Sequence, residues 1–239
     1  MAHISRKELK TDEFQDTLTH GAEFLGTHKK LIWQVGIVVV VAVCAVFAWR
    51  SYSGRQNARA SAAFAAAMKL YDAHVVPPGQ SPPPGGISYP NDETKYSAAE
   101  KAMGPVAEKF PHTRYGSMAR YYAGVSLDRL GRYPDAVNWL LPMAGRGNGQ
   151  LQSLAKFELA HVYDHMGKSG PALALYQQLA NKPTVFVPKP LVLLALGDHY
   201  LAQKNTRQAA QYYQQVKSEF PNTGLADQAD QRLEMIGKS

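Results

Sequence analysis

Three segments of this chain repeat one pattern of small and large residues. They begin at Ala123, Leu159 and Leu196, so their separations are 36 and 37 residues. In each segment a Gly or Ala is followed twelve residues later by an Ala, and four residues after that by a large side chain. The three sets are Gly124, Ala136 and Leu140; Ala160, Ala172 and Tyr176; and Gly197, Ala209 and Tyr213. Repetition at this length is typical of a solenoid, in which each unit buries its apolar face against the next.

The spacing within each segment predicts two antiparallel helices. Such helices cross closely only where neither projects a large side chain, so each needs Gly or Ala at the crossing. The pattern resembles the tetratricopeptide repeat, and the resemblance covers about residues 96 to 221. Residues that match the second half of one further unit lie upstream, at Tyr96, Ala99, Met103, Val106 and Pro111. The resemblance implies an all-α solenoid of helix hairpins.

A proline-rich insertion interrupts the upstream unit. The segment "ASAAFAAAMKLYDAH" supplies its first helix, with Phe64, Ala67 and Tyr71 on one face. Residues 75 to 90 then contain six prolines and three glycines, which forbid a helix. This stretch is either a flexible insertion or a polyproline segment that a partner binds.

An uncharged stretch of 19 residues, Leu31 to Trp49, precedes the repeats. As a helix that rises about 1.5 Å per residue it would span about 28 Å, close to the ~30 Å of a bilayer's hydrocarbon core. Trp33 and Trp49 lie near its ends, where indole rings prefer the membrane interface. The stretch therefore predicts a transmembrane anchor.

Two alternatives concern this anchor and the residues before it. A cleaved secretory signal would use Val46, Phe47 and Ala48 as its cleavage site, but its charged leader is usually much shorter than 30 residues. Residues 1–30 predict either an interfacial amphipathic helix or a disordered tail. Lys and Arg beside the span favour neither orientation clearly, with a weak bias against export of the repeats.

These observations predict an all-α protein with a single N-terminal transmembrane helix followed by a tetratricopeptide-type α-solenoid. The predicted segments are an N-terminal segment at 1–30, the transmembrane helix at 31–49, a linker and first solenoid helix at 50–74, the insertion at 75–94, the repeats at 95–222 and a capping helix at 223–239.

Composition and motifs argue against several function classes. The net charge of +7 has no Lys/Arg run or interleaved aromatic strip, so nucleic-acid binding is not expected. The single cysteine, Cys44, lies in the apolar stretch and cannot form an internal disulfide. The strongest metal candidate, "HVYDH" with His161, Asp164 and His165, lacks the Glu after the first His that metalloproteases use as a base. We therefore expect no enzyme, cofactor, metal site or small-molecule substrate.

The resemblance instead implies a protein-binding groove formed by the first helix of each hairpin. Its register assigns ten groove residues: Tyr121, Asp128, Arg129, Phe157, His161, Asp164, His165, Leu194, Asp198 and Leu201. The set lacks the Lys and Asn residues by which some tetratricopeptide proteins bind a C-terminal carboxylate. A receptor for cytosolic chaperone tails is therefore not supported.

The whole arrangement, one span followed by repeats, resembles the bacterial YfgM-like family of ancillary Sec translocon subunits. That resemblance implies a single-pass protein of the inner membrane, with a cytoplasmic N-terminus and periplasmic repeats. Its partners would be translocon subunits, periplasmic chaperones or exported chains, with lipid around residues 31–49. The alternative is an assembly or regulatory subunit of another membrane complex, bound mainly through its transmembrane helix.

Overall fold

The fold is helical throughout in the computed structural model, which describes residues 29–77, 79, 81, 84–145 and 149–237. These residues form nine helices and one pair of two-residue strands. In chain order they are α1 (Lys29–Tyr71), β1 (His74–Val75), β2 (Ser88–Tyr89), α2 (Asp92–Lys109), α3 (Arg114–Arg129), α4 (Tyr133–Gly145), α5 (Gln150–His165), α6 (Ser169–Asn181), α7 (Lys189–Ala202), α8 (Thr206–Glu219) and α9 (Gly224–Gly237). The predicted all-α class is confirmed. The interfacial helix proposed for residues 1–30 lies, up to residue 28, outside the described residues.

The chain divides into two compact units after Arg55, within α1. In the first unit the large apolar side chains from Trp33 onward are exposed, including Phe47 at 75 % and Trp49 at 69 %. A helix this apolar, with no protein packed over its described side chains, is typical of a segment that lipid or another helix covers. It is long and apolar enough to span a membrane, as the sequence predicted.

The second unit is a series of helix hairpins with three connected cores. The first core packs Phe64 and Ala67 of α1 against α2 and α3. A second core joins α3, α4 and α5 around Leu127, Leu140 and Leu159. The third extends through α6, α7 and α8 to α9. Each hairpin buries its apolar face against the next, which is the packing that a solenoid requires.

The close helix crossings predicted from the small residues are present. A Cβ atom placed on Gly124 would lie 2.6 Å from Cγ of Leu140, and one on Gly197 would lie 2.6 Å from Cδ1 of Tyr213. Leu140 and Tyr213 are both fully buried. The large side chain therefore occupies the space that the missing side chain leaves.

The two ends of the proline-rich insertion are hydrogen-bonded to each other as a pair of short strands. β1 pairs with β2 in parallel, and the backbone N–H of Val76 donates to the carbonyl of Tyr89 at 2.9 Å. This pairing holds the end of α1 close to the start of α2 across the insertion. Helix α2 itself begins at Asp92, where the Asn91 side chain accepts a hydrogen bond from the Thr94 N–H at 2.8 Å.

Candidate functional site

The first helices of the hairpins, α3, α5 and α7, carry the ten predicted groove residues. We call the surface of these helices, together with the adjoining end of α1, the groove face. Arg129 and His165 are exposed, Asp128 and Leu194 are buried, and the other six predicted residues are half-buried. Exposure alone therefore leaves most of the set accessible to a ligand.

The predicted acids are engaged in pairs that link neighbouring hairpins. Asp128 of α3 is only 5 % exposed, and its Oδ1 accepts from Nδ1 of His165 on α5 at 2.8 Å. Asp164 of α5 accepts from the Tyr176 hydroxyl at 3.0 Å and from Nδ1 of His199 at 2.6 Å. Because Asp164 lies between α6 and α7, its carboxylate holds three helices together.

Asp198 plays a similar structural part at the end of the array. Its Oδ1 accepts from the Tyr213 hydroxyl of α8 at 2.7 Å and from Nε of Arg232 on α9 at 2.8 Å. A buried or half-buried carboxylate that accepts hydrogen bonds from neighbouring side chains is satisfied within the protein. These three aspartates therefore link neighbouring helices, and their hydrogen-bonding capacity is used within the protein.

Aromatic rings line the groove face beside these pairs. The ring centroids of Phe157 and His161 lie 4.6 Å apart, and those of His161 and Tyr176 lie 5.7 Å apart, both edge to face. Tyr122 packs edge to face against Tyr71 at 4.9 Å and against Tyr121 at 5.4 Å. Half-buried tyrosines of this kind offer apolar ring surface and a hydroxyl group to a bound chain.

Two ionisable groups of α5 on the groove face make no hydrogen bond or ion pair with the described residues, although the His161 ring contacts its aromatic neighbours. Glu158 and His161 of α5 make no hydrogen bond or ion pair with any residue that the structure describes. Burial, with the nearby Asp128 charge, raises the pKa of Glu158 to about 7. Burial lowers the pKa of His161 despite the Asp164 carboxylate. Both groups therefore stand in a poorly solvated region, where burial disfavours their charged forms.

The assignment of groove residues by their position in the repeat did not include Glu158. It did include Leu194, whose side chain lies in the core. Glu158 lies three residues before His161, so one helical turn of spacing would have found it. Leu194 is 5 % exposed within the run Val192 to Gly197, all of which is buried. Since α7 is enclosed on several sides, Leu194 offers no surface to a partner.

The "HVYDH" motif is divided among separate pairs. Asp164 binds Tyr176 and His199, whereas His165 binds Asp128. Across the described residues no group of three His, Cys, Asp or Glu side chains is arranged to hold a metal ion. Asp164 and His165 thus link neighbouring helices, whereas the ring of His161 contacts its aromatic neighbours.

Comparison with known families agrees with this geometry. The profile described as "Tetratricopeptide repeat-like domain" matches residues 23–238. The chain belongs to this tetratricopeptide repeat-like family. Comparisons with curated proteins and with solved structures gave no match.

The matched range contains all the helix hairpins of the second unit. Repeat domains of this family generally act by binding other proteins rather than by catalysis. On the groove face of this tetratricopeptide repeat-like domain, the aspartates link neighbouring hairpins and aromatic rings lie beside them.

Proposed function

We propose that the protein is a membrane-anchored scaffold whose groove face binds a segment of a partner protein. The observation that carries this proposal is the combination of aromatic rings with the unpaired Glu158 and His161 on the first helices of a tetratricopeptide-like array. Half-buried aromatic rings offer apolar contact area to a bound chain, and these two ionisable groups are not engaged by hydrogen bonds within the part of the protein that the structure describes. The exposed apolar part of α1 supplies the anchor.

We further propose that the scaffold serves protein export at the bacterial inner membrane. The resemblance of one span plus repeats to the YfgM-like family supports this placement. Under this proposal the N-terminus lies in the cytoplasm and the repeats lie in the periplasm. The partners are then translocon subunits, periplasmic chaperones or newly exported chains, and lipid surrounds residues 31–49.

Affinity purification of the full chain in mild detergent tests the groove proposal. We expect Arg129→Ala combined with His161→Ala to reduce recovery of the partner, because both side chains lie on the groove face. The matched control combines Arg207→Ala with His112→Ala, which removes the same residue types from exposed positions elsewhere. Equal recovery with both double variants would contradict binding by the groove face.

A second function, assembly of a membrane complex through the span, is favoured by one observation. Large side chains on the apolar part of α1, including Trp33 at 73 % exposure, have no protein cover in the described structure. Exchanging Leu31 to Trp49 for an unrelated span of equal length separates the two functions. Lost association would support the span as the interface, whereas retained association would support the groove.

A topology reporter tests the placement of the repeats. Alkaline phosphatase fused after Ser239 is active only outside the cytoplasm, and a green fluorescent protein fused at the same point fluoresces inside it. We expect active phosphatase and a dark fluorescent fusion. The opposite result would place the groove in the cytoplasm and exclude periplasmic partners.

A further inference from the structure

Two adjoining cavities lie on the side of α5 away from its predicted groove residues. The first, of about 390 Å³, lies where the start of α5 meets the end of α6. The second, of about 420 Å³, lies further along the same two helices and beside α4. Because Gln152, Lys156 and Gln178 line both cavities, the two form one depression, which we call the outer cleft. Its α5 residues recur every three or four positions up to Tyr163 and so share one side of the helix, away from His161.

The first cavity is polar and contains two lysine side chains. Lys156 of α5 and Lys182, which follows α6, line it together with hydroxyl and amide groups. Lys156 Nζ donates to the side-chain oxygen of Gln178 at 3.2 Å, a neutral acceptor that does not balance the lysine charge. In the part of the chain that the structure describes, neither lysine is paired with a carboxylate, and the lining of both cavities contains no Asp or Glu. The first cavity therefore carries an unbalanced positive charge, which attracts anionic groups.

Hydrogen bonds hold the walls of the first cavity in place. The buried Ser153 hydroxyl donates to the Gln150 carbonyl at 2.7 Å, so the Thr184 hydroxyl is the donor in its own 2.7 Å contact with Ser153. Thr184 also accepts from the N–H of Val187 at 3.2 Å, and Val187 is fully buried. The segment after α6 is thereby fixed to α5. The cavity is preformed, which lowers the entropic cost of binding a ligand there.

The second cavity is lined mainly by apolar side chains. Leu141 of α4 is 50 % exposed, and Pro171 and Ala174 of α6 are exposed as well. Leu159 of α5, which is buried, and the half-buried Leu175 of α6 complete this apolar lining. Exposed apolar side chains around a concave surface are typical of a site that a partner covers.

The two cavities are separated by a short distance along α5. Positions 149 to 156 of the chain line the first cavity and positions 152 to 163 line the second, so their centres are about five residues, or about 7 Å of helix, apart. An extended chain advances about 3.3 Å per residue, and its side chains two residues apart lie on the same side. An extended segment can therefore place one side chain in each cavity when those side chains are two residues apart.

We propose that the outer cleft binds an extended segment of a partner protein in which an Asp or Glu lies two residues from a large apolar residue. The carboxylate accepts hydrogen bonds from Lys156 and Lys182 in the first cavity, and such charge-assisted bonds are stronger than neutral ones. The apolar side chain enters the second cavity beside Leu141 and Leu175, where it is removed from water. The outer cleft contains none of the ten predicted groove residues, so this second binding surface does not depend on the groove proposal.

Subtractive selection from a phage library of random dodecapeptides tests this inference with the full chain in detergent. Phages are first depleted on the double variant Lys156→Gln with Lys182→Gln and are then selected on the wild-type chain. We expect the recovered peptides to share an Asp or Glu two residues from a Leu, Ile, Met or Phe. Recovery of no phage above background, or of peptides without this pair, would overturn the inference.

Synthetic peptides of the selected sequence, amidated to remove the terminal carboxylate, test the charged half of the site. Replacing the acidic residue by its amide should weaken binding to wild type about tenfold, because a charge-assisted contact is lost. The same replacement should have almost no effect on binding to the Lys156→Gln with Lys182→Gln variant. Lys101→Gln with Lys204→Gln, at two exposed lysines elsewhere in the second unit, is the matched control and should bind as wild type. A penalty of equal size in all three proteins would contradict the role of the two cavity lysines.

Filling the second cavity tests the apolar half of the site. Ala174→Phe places a ring in the space that the peptide's apolar side chain needs and should weaken binding about tenfold. Ala202→Phe makes the same change at an exposed alanine of α7 and should have no effect. Equal binding by these two variants would show that the second cavity is not used. Thermal unfolding of every variant in the same detergent distinguishes lost binding from lost folding.

Two further measurements identify the surface and its occupant. The groove variant, Arg129→Ala with His161→Ala, should bind the selected peptide as wild type does, and a loss of binding there would place the peptide on the groove face instead. Analytical ultracentrifugation of the wild-type chain alone, in detergent, tests whether a second copy occupies the outer cleft. We expect no self-association that depends on the cavity lysines. A dimer that is lost in the Lys156→Gln with Lys182→Gln variant would assign the cleft to a second copy and overturn the proposed partner.

Discussion

At the scale of single residues, Gly116 shows how tightly one hairpin approaches the next. It lies in the first turn of α3, and a Cβ atom placed there would lie 2.7 Å from the carbonyl carbon of Phe110, closer still to its oxygen. The obstacle is backbone, which cannot rotate away as a side chain can. The start of α3 therefore depends on the missing side chain.

Gly116→Ala should destabilise the repeat unit by about 3 kcal/mol, because overpacking against backbone forces the chain to shift. Gly170→Ala is the matched control, since a Cβ atom there has no neighbour within 4 Å in the described structure. That substitution should be neutral or stabilise by up to ~1 kcal/mol through helix propensity and reduced unfolded-state entropy. Urea unfolding followed by circular dichroism compares the two variants. Equal midpoints would show that α3 is free to move from Phe110.

Glu158 makes a second residue-scale prediction, on stability. Its pKa is about 7 in the folded protein against an ordinary 4.5, so the folded state holds this proton more strongly. Between these two values stability must fall as the pH rises, and above about 7 the full penalty is present. Glu158→Gln should thus match wild type near pH 4 and exceed it by roughly 2 kcal/mol at pH 8.

Urea unfolding at several pH values measures this difference. Trp139, which packs between the first and second cores, reports the repeat unit when Trp33 and Trp49 are replaced by Phe. Comparing variants at one pH cancels the titration of other groups. Glu108→Gln, at an exposed carboxylate, should show no such trend, and a Glu158→Gln advantage that is constant with pH would exclude a titration effect.

At the scale of secondary-structure elements, the same type of turn occurs twice, once before α3 and once before α9. After Phe110 the Thr113 hydroxyl donates to the Phe110 carbonyl at 3.0 Å and accepts from the Gly116 N–H at 2.9 Å. After Phe220 the Thr223 hydroxyl repeats both bonds, to Phe220 at 2.8 Å and from Ala226 at 3.2 Å. The hydroxyl therefore ends one helix and begins the next, α3 or α9.

Removing the Thr113 cap should destabilise the N-terminus of α3 and lower the free energy of unfolding. Thr113→Ala should lower the free energy of unfolding by about 1 kcal/mol, whereas Thr113→Ser, which keeps the hydroxyl, should stay close to wild type. Chemical denaturation of the three proteins measures both changes. If Ser and Ala variants were equally weakened, the methyl group rather than the hydroxyl would be the important contact.

The helices were predictable from the sequence where local packing rules decide the outcome. Gly124 with Leu140, and Gly197 with Tyr213, meet within one hairpin, so their spacing along the chain specifies their contact. The partners of Asp164 were not predictable in this way. His199 comes from the next hairpin, at a register position different from that of His165, and only the packed structure shows which imidazole the carboxylate reaches.

The sequence predicted only part of the candidate site, because contacts between hairpins are not specified by spacing along the chain. Register could assign residues to the first helices but could not tell an open position from an enclosed one. Leu194 is enclosed because α7 is apolar almost throughout its length. Glu158 was overlooked because its significance lies in the absence of a partner, and a sequence pattern records which residues are present rather than which remain unpaired.

At the scale of the whole molecule, the two compact units have opposite surface chemistry. The first unit exposes valines and aromatic rings along α1, whereas the second buries its apolar residues in three cores. A bilayer would cover the exposed apolar side chains of α1. If the span is a permanent anchor, it is not cleaved off, and the protein stays in the membrane during alkaline carbonate extraction.

Charge placed in the middle of the span should abolish this anchoring. Val40→Arg combined with Val41→Arg costs about 2.5 to 3.5 kcal/mol per residue at the centre of a membrane helix, which exceeds the contribution of several valines. We expect the double variant to be extracted by carbonate or degraded. Val185→Arg, at a residue that is 81 % exposed in the repeat unit, makes the same chemical change outside the span and should remain anchored. Carbonate-resistant membrane association of the double variant would mean that residues other than 31–49 hold the protein in place, and then the exposed apolar side chains of α1 would need a protein cover instead.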